Sequence, residues 1–297
     1  MASKLRPALV ALPLAVLIAL TGCTAQTIPG EGKSSPEASS SEGPSGDFVS
    51  AIPADELGLV LPGDAAKDDE GSFRKAVLNR ELAASKYMTL ATAPNAAELE
   101  AAGYSDEDLI AAQESAYSTL VEFNLDGPLL ETDTTTLEWF EAGGRDIFGA
   151  VSQEMIHATL KEDPTTSLAV QGQFAEPLVR DGDLRIKGVD ISTDSIGLQD
   201  YEGESFIIVN FKFEALYRSS TDGILKTVQR AQEEEYTQAD LESIDPAFSG
   251  DEATYKVFGN GLMSYGLSDL KRTEGMAFYY DSGIVDADGN FVKLGGN

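Results

Sequence analysis

Residues 205–217 read SFIIVNFKFEALY, and the alternation within that stretch decides the fold class. Ile207, Val209, Phe211, Phe213, Ala215 and Tyr217 fall on one side of a period-two pattern, and Asn210, Lys212 and Glu214 on the other. Successive side chains of a strand point to opposite faces, so the stretch predicts a long strand with one buried face and one wet face. SSTDG at 219–223 predicts a turn into Ile224–Tyr236, the second strand of an antiparallel hairpin, whose mixed face carries Lys226, Arg230 and Glu234.

Outward from this hairpin, Leu184–Ile191 is expected as a neighbouring strand. Thr273–Val285 is another, with Met276, Phe278, Tyr280 and Ile284 on one face. Ala287-Asp288-Gly289-Asn290 then turns the chain into a short last strand, Phe291–Leu294. The Gly- and acid-rich stretch Thr237–Asp269 reads as an insertion. Gly259-Asn260-Gly261 inside it reads as a loop, because Ser264 breaks the G-x-G-x-x-G spacing of a dinucleotide site.

Before Asp183 the period is helical. Phe73, Val77, Ala84, Tyr87, Met88 and Ala91 predict a helix from an N-cap at Ser72 to about Ala93, stopped by Pro94. Asn95 caps a short helix that ends before Gly103. Ser105, with Asp108 three residues on and acids crowding the first turn, marks a strong start. Leu109, Ala112, Ala116, Leu120 and Phe123 form its apolar face, and Gly127-Pro128 ends it. A further helix after Asp146 has the stripe Ile147, Phe148, Val151, Met155, Ile156, Thr159 and Leu160, closed by Asp163-Pro164.

Helices first and long antiparallel strands afterwards make an α+β domain, with the N-terminal helices packed on one face of a curved antiparallel sheet. In element order, residues 105–294 resemble the cone-shaped NTF2-like and cystatin-like folds. That resemblance implies room for a pocket between sheet and helices, and such folds serve enzymes and binding modules alike.

The N-terminus carries a different signal. Lys4 and Arg6 precede an uncharged, mostly apolar run from Pro7 to Thr21, interrupted by Pro13. The run is shorter than the ~20 apolar residues that span a bilayer, so residues 1–22 read as an export signal. Leu20-Thr21-Gly22-Cys23 closely resembles the lipobox of bacterial lipoproteins. The resemblance implies cleavage between Gly22 and Cys23, a diacylglyceryl group on the Cys23 thiol, and residence on the outer face of the cell membrane. The alternative is an ordinary cleaved signal that happens to end at a cysteine. Residues 23–47 are rich in Ser, Gly, Pro and Glu and form a disordered tether; ~24 flexible residues reach roughly 25–30 Å. Residues 48–71, including FVSAIPADELGLVL at 48–61, read as an arm lying over a single head domain, 72–297.

Loss of Lys4 and Arg6 with the signal leaves 19 basic residues against 50 acidic ones, a formal charge of −31. Such a surface repels nucleic acid and anionic headgroups, so membrane contact is expected through the lipid alone. Cys23 is the only cysteine, so no internal disulfide forms and a hydrophobic core must hold the head together.

No catalytic set assembles from the sequence. His157, the only histidine, reads either as a general base or as a residue flanking the apolar stripe of its helix. Ser72-Phe73-Arg74-Lys75 matches S-x-x-K, but its usual companions are missing, since Val228 follows Lys226-Thr227 and Leu270 follows Ser268-Asp269. One cysteine and one histidine cannot build the usual zinc or copper site, and Asp286–Asn290 has its glycine at the wrong place for an EF-hand. No cofactor and no metal site are expected.

Phe206, Phe211, Phe213, Tyr217, Phe278, Tyr279 and Tyr280 cluster late and serve as core or pocket lining. Trp139 and Phe140, ahead of Gly143-Gly144, either cover a pocket mouth or dock a short helix. A pocket between sheet and helices would be lined by His157, Phe211, Phe213, Tyr217 and Tyr280. The expectation is therefore a non-enzymatic, lipid-anchored protein that binds a partner protein or small ligand in the cell envelope. An NTF2-like enzyme and a transporter-associated binding lipoprotein stand as alternatives.

Overall fold

A computed structural model describes residues 58–68, 71–127, 134–163, 168, 184–201, 204–220, 252–285 and 291–296. The expected signal and tether, Cys23, most of the expected arm, the expected strand Ile224–Tyr236 and the expected turn at 287–290 lie outside them.

The described residues form an α+β head. Strands β1 (Val60–Asp68) and β2 (Gly71–Leu78) pair as an antiparallel hairpin. Five helices follow: α1 (Arg80–Ala84), α2 (Ala96–Ala101), α3 (Asp106–Thr119), α4 (Thr136–Glu141) and α5 (Ala150–Glu162). A π-helical turn, Leu120–Leu125, extends α3, and a 3₁₀ turn, Gly144–Ile147, precedes α5. The second sheet is an antiparallel meander of β3 (Ile186–Tyr201), β4 (Glu204–Ser220), β5 (Glu252–Gly266), β6 (Asp269–Val285) and β7 (Phe291–Gly296), in that spatial order.

Residues 72–78 are a strand, not the first turns of a helix. Phe73 and Val77 keep a four-residue spacing, but pairing with β1 places Ser72 opposite Lys67 and buries Phe73, Ala76 and Leu78. Local propensity is a weak prior that such long-range pairing overrides. Ser72 therefore caps nothing. Asn79 caps α1 instead, its Oδ1 accepting from Leu82 N at 3.2 Å. The end of the expected arm is built into this hairpin: Leu59 is fully buried, and its N–H donates to Val189 O at 2.7 Å.

The start of α3 follows its sequence signal. Ser105 and Asp108 make a reciprocal capping box, which satisfies N–H groups that the first turn leaves without partners. Leu109, Ala112, Ala116 and Leu120 of the predicted face are fully buried. The helix expected from Asp146 starts at Ala150, because Phe148 leaves the helix to bridge Thr273 of β6.

Strand β4 buries Ile207, Val209, Phe211, Phe213, Ala215 and Tyr217, each at most 3% exposed, as its alternation predicts. Its partner on one side is β5, so residues 252–266 are a central strand and not part of an insertion. Gly259 and Gly261 sit mid-strand rather than in a loop. A Cβ on Gly261 would stand 2.2 Å from Phe211 Cε2, and one on Gly259 would stand 2.0 Å from Tyr279 O. Glycine in a strand interior marks such a close approach: the Phe211 ring takes the space at Gly261, and the β6 backbone at Tyr279–Tyr280 takes it at Gly259.

The outer face of β4 is not uniformly wet. Lys212 is exposed, but Glu214 is 2% exposed and meets the equally buried Lys256 of β5 at 3.1 Å. Pairing permits the burial, since an isolated charge there would be far too costly.

Candidate functional site

The aromatics predicted as pocket lining do come together. Phe211, Phe213 and Phe278 ring centroids lie 6.2–6.5 Å apart on the inner face of the sheet. Tyr280 stands across Gly259 from Phe213 in the register. These side chains are packed: Phe211, Phe213, Tyr217 and Tyr280 are 0–7% exposed, and Tyr117 of α3 meets Phe211 edge to face at 6.3 Å. Burial pushes the Tyr280 phenol up to about 12, so it is neutral in ordinary conditions.

His157 does not join them. Its ring stacks on Phe140 of α4 at 5.8 Å, and Nε2 lies 2.9 Å from Glu141 Oε1 in a half-exposed pair. Phe140 and Trp139 dock α4 as core residues, and Trp139 packs edge to face on Phe123. Ser72 and Lys75 lie on a strand, where residues three apart point to opposite faces, so they form no acylating pair.

The most developed polar arrangement lies where α3 meets β3. Gln113, fully buried, uses both ends of its amide. Nε2 donates to Met88 O and Leu109 O at 2.8 and 2.9 Å, while Oε1 accepts from Met88 N at 2.8 Å and from Thr193 Oγ1 at 2.7 Å. The Tyr117 hydroxyl lies 3.0 Å from Thr193 Oγ1. Since the Thr193 proton is directed at Gln113, Tyr117 donates to Thr193. Thr193 sits at a bulge of β3, and bulges commonly re-aim a side chain.

Tyr87 packs edge to face on Tyr117 at 5.4 Å, and its buried hydroxyl has no hydrogen-bond partner among the described residues. The ion pairs Lys86–Asp190 and Arg80–Glu114 stand on the same side of the head. Burial, with Glu114 nearby, raises the Tyr87 phenol well above its ordinary value. Burial likewise raises Tyr117. The hydroxyls of the cluster are neutral, the Gln113 amide is fully engaged within it, and the Tyr87 hydroxyl alone is left without a partner among the described residues. The phenols of the cluster supply no base near neutral pH. Sequence reasoning missed these residues, although one signal was visible: Gln113 is a polar residue on the face formed by Leu109, Ala112 and Ala116.

No family model, curated protein or solved structure matches this chain.

A second buried cluster lies just beyond the π turn. Asn124 donates from Nδ2 to Leu168 O at 2.6 Å, and its Oδ1 has no hydrogen-bond partner among the described residues. Asp126 Oδ1 is 2.7 Å from both Nε and Nη2 of Arg185, and Asp126 Oδ2 accepts from Ala76 N at 2.6 Å. Burial raises the Asp126 carboxyl, against the opposing pull of Arg185 and the Ala76 N–H. Phe73 lies under the guanidinium at 4.1 Å, and Tyr217 donates to Leu125 O at 2.9 Å. These contacts tie β2, the π turn and β4 together. Among the described residues no three His, Cys, Asp or Glu side chains group as a metal set, and no helix is long and apolar enough to cross a membrane.

Proposed function

We propose that the chain is a lipid-anchored, non-enzymatic lipoprotein on the outer face of a bacterial cell membrane, whose acidic head binds a partner protein or small ligand in the envelope. The observation that carries this reading is Leu20-Thr21-Gly22-Cys23, which closes an apolar run and places the only cysteine where lipoproteins are acylated. One acyl chain holds a protein marginally and two hold it stably, which a diacylglyceryl group provides. The charge of −31 argues against nucleic acid as a partner.

In this reading the head is a relative of the NTF2-like and cystatin-like cones. Helices preceding a long-stranded antiparallel meander, with α3 lying against β4 and β6, support it. The Tyr87 hydroxyl is where a small polar ligand would make its contact, since it is a buried group that the described residues leave unpaired. Native mass spectrometry of the protein extracted from its own membranes tests the small-ligand form. A bound species that disappears in Tyr87→Phe supports it, and a bare protein mass in the wild type counts against it.

A further inference from the structure

Strand β3 ends the five-stranded sheet: β4 pairs with one side of it, and among the described residues no strand pairs with the other. Only the start of that outer side is covered. Gly58 bridges Val189, Arg74 bridges Leu184, and the Leu59 N–H donates to Val189 O at 2.7 Å. Past Val189, no main-chain hydrogen bond reaches the outer side among the described residues, and no other element runs along it. At the far end of the sheet, β7 pairs with Asp281–Val285 of β6. The segment before α5 covers β6 at Thr273, through the Phe148 bridge and the Gly149 N–H bond at 3.0 Å.

A bare edge is a template for another chain, and proteins blunt such edges with bulges, charges or proline. Strand β3 carries these devices in its first part, where the register shifts between Thr193 and Ser195 and Asp194 is exposed. Ile196-Gly197-Leu198-Gln199 has no charge and no proline, and its register with β4 is unbroken through Tyr201.

Gly197 is a second, independent sign. A Cβ there would come no nearer than 3.9 Å to any atom, the nearest being Ile208 Cβ, whereas Tyr279 O and the Phe211 ring occupy that space at Gly259 and Gly261. Packing inside the head therefore does not require a glycine at 197. A glycine within a strand also marks where another backbone comes close.

Charge selects the occupant. Lys86 and Lys212 answer Asp190 and Asp194. Asp200 and Glu204 are exposed and have no ion-pair partner among the described residues, and Asp108 of α3 acts with Asp200 on Tyr104. A second copy of the chain would bring the same acids and the same strongly negative charge to this edge.

We propose that the outer edge of β3 over Ser195–Tyr201 takes up an extended, basic segment of a partner protein as an added strand. Main-chain hydrogen bonds to β3 hold the segment, and its basic residues answer Asp200 and Glu204. This deepens the partner-protein form of the function proposed above and rests on it. The assay below depends on neither Cys23 nor Tyr87, so failure at the edge and failure of the anchor or ligand reading are distinguishable.

Hydrogen exchange of the full chain in detergent micelles tests this with three end-blocked peptides. Lys-Val-Lys-Val-Lys-Val-Lys should raise the protection of residues 195–201 several-fold and leave the central strand β5 unchanged. Lys-Pro-Lys-Pro-Lys-Pro-Lys keeps the charge but cannot form the ladder, and Glu-Val-Glu-Val-Glu-Val-Glu keeps the ladder but reverses the charge; both should leave 195–201 unprotected. Gly197→Lys, which the open space accommodates, should abolish the protection given by the first peptide. No added protection from the first peptide would overturn the proposal, as would equal protection from either of the others or an undiminished effect in Gly197→Lys. A wild-type dimer in sedimentation that Gly197→Lys dissolves would give the edge to a second copy and overturn it too. Should the variant not fold, the three peptides on the wild type decide.

Discussion

Asp126 and Arg185 meet as fully buried partners, 2.7 Å apart, at the point where the π turn after α3, the β1–β2 hairpin and the start of β3 come together. A buried pair adds little compared with apolar residues of the same volume, but removing one partner leaves the other charge buried without its counter-ion.

Asp126→Ala should therefore destabilise the head by about 3–5 kcal/mol. The substitution strips the carboxylate from Arg185 and from the Ala76 N–H at once. Urea unfolding followed by circular dichroism measures this. A change under about 1 kcal/mol would show that the pair does not hold these segments together.

Gly261 permits the Phe211 ring to lie across β5, since a Cβ there would overlap the ring edge. Gly261→Ala should cost about 1–3 kcal/mol by overpacking. Combining it with Phe211→Leu, which withdraws the ring, should cost less than the two single effects added. A double-mutant cycle with no coupling would mean that the ring and the glycine do not depend on each other.

Tyr87 and Tyr117 have adjacent rings and opposite expectations. Tyr117→Phe removes a donor to Thr193 and should destabilise by about 1 kcal/mol. Tyr87→Phe removes a buried hydroxyl without a partner among the described residues and should be neutral or stabilising in the ligand-free protein. Thermal unfolding of the two variants separates them, and equal losses would contradict this assignment.

What the sequence made legible was whatever depended on neighbours in the chain. The alternation of β4 and the Ser105–Asp108 capping box are local, and both stand as expected. Strand β2 was hidden because Phe73 and Val77 share a four-residue spacing, and only β1 makes them a strand. Strand β5 was hidden because two glycines interrupt the alternation of Tyr255, Val257, Met263 and Tyr265, and the space they leave is taken by the Phe211 ring of β4 and by the main chain of β6. Glu214 looked wet because its partner Lys256 lies on a strand that was not foreseen. Of the polar cluster, Gln113 alone was visible, as a polar residue on a buried helix face. The bulge that delivers Thr193 and the burial of the Tyr87 hydroxyl depend on tertiary packing.

The central claim concerns one thiol, and metabolic labelling with radioactive palmitate tests it most directly. The account predicts a labelled band at the size of the mature chain that sediments with membranes, and an unlabelled, unprocessed band in Cys23→Ser. A wild-type protein that carries no more label than Cys23→Ser and remains in the soluble fraction would contradict it.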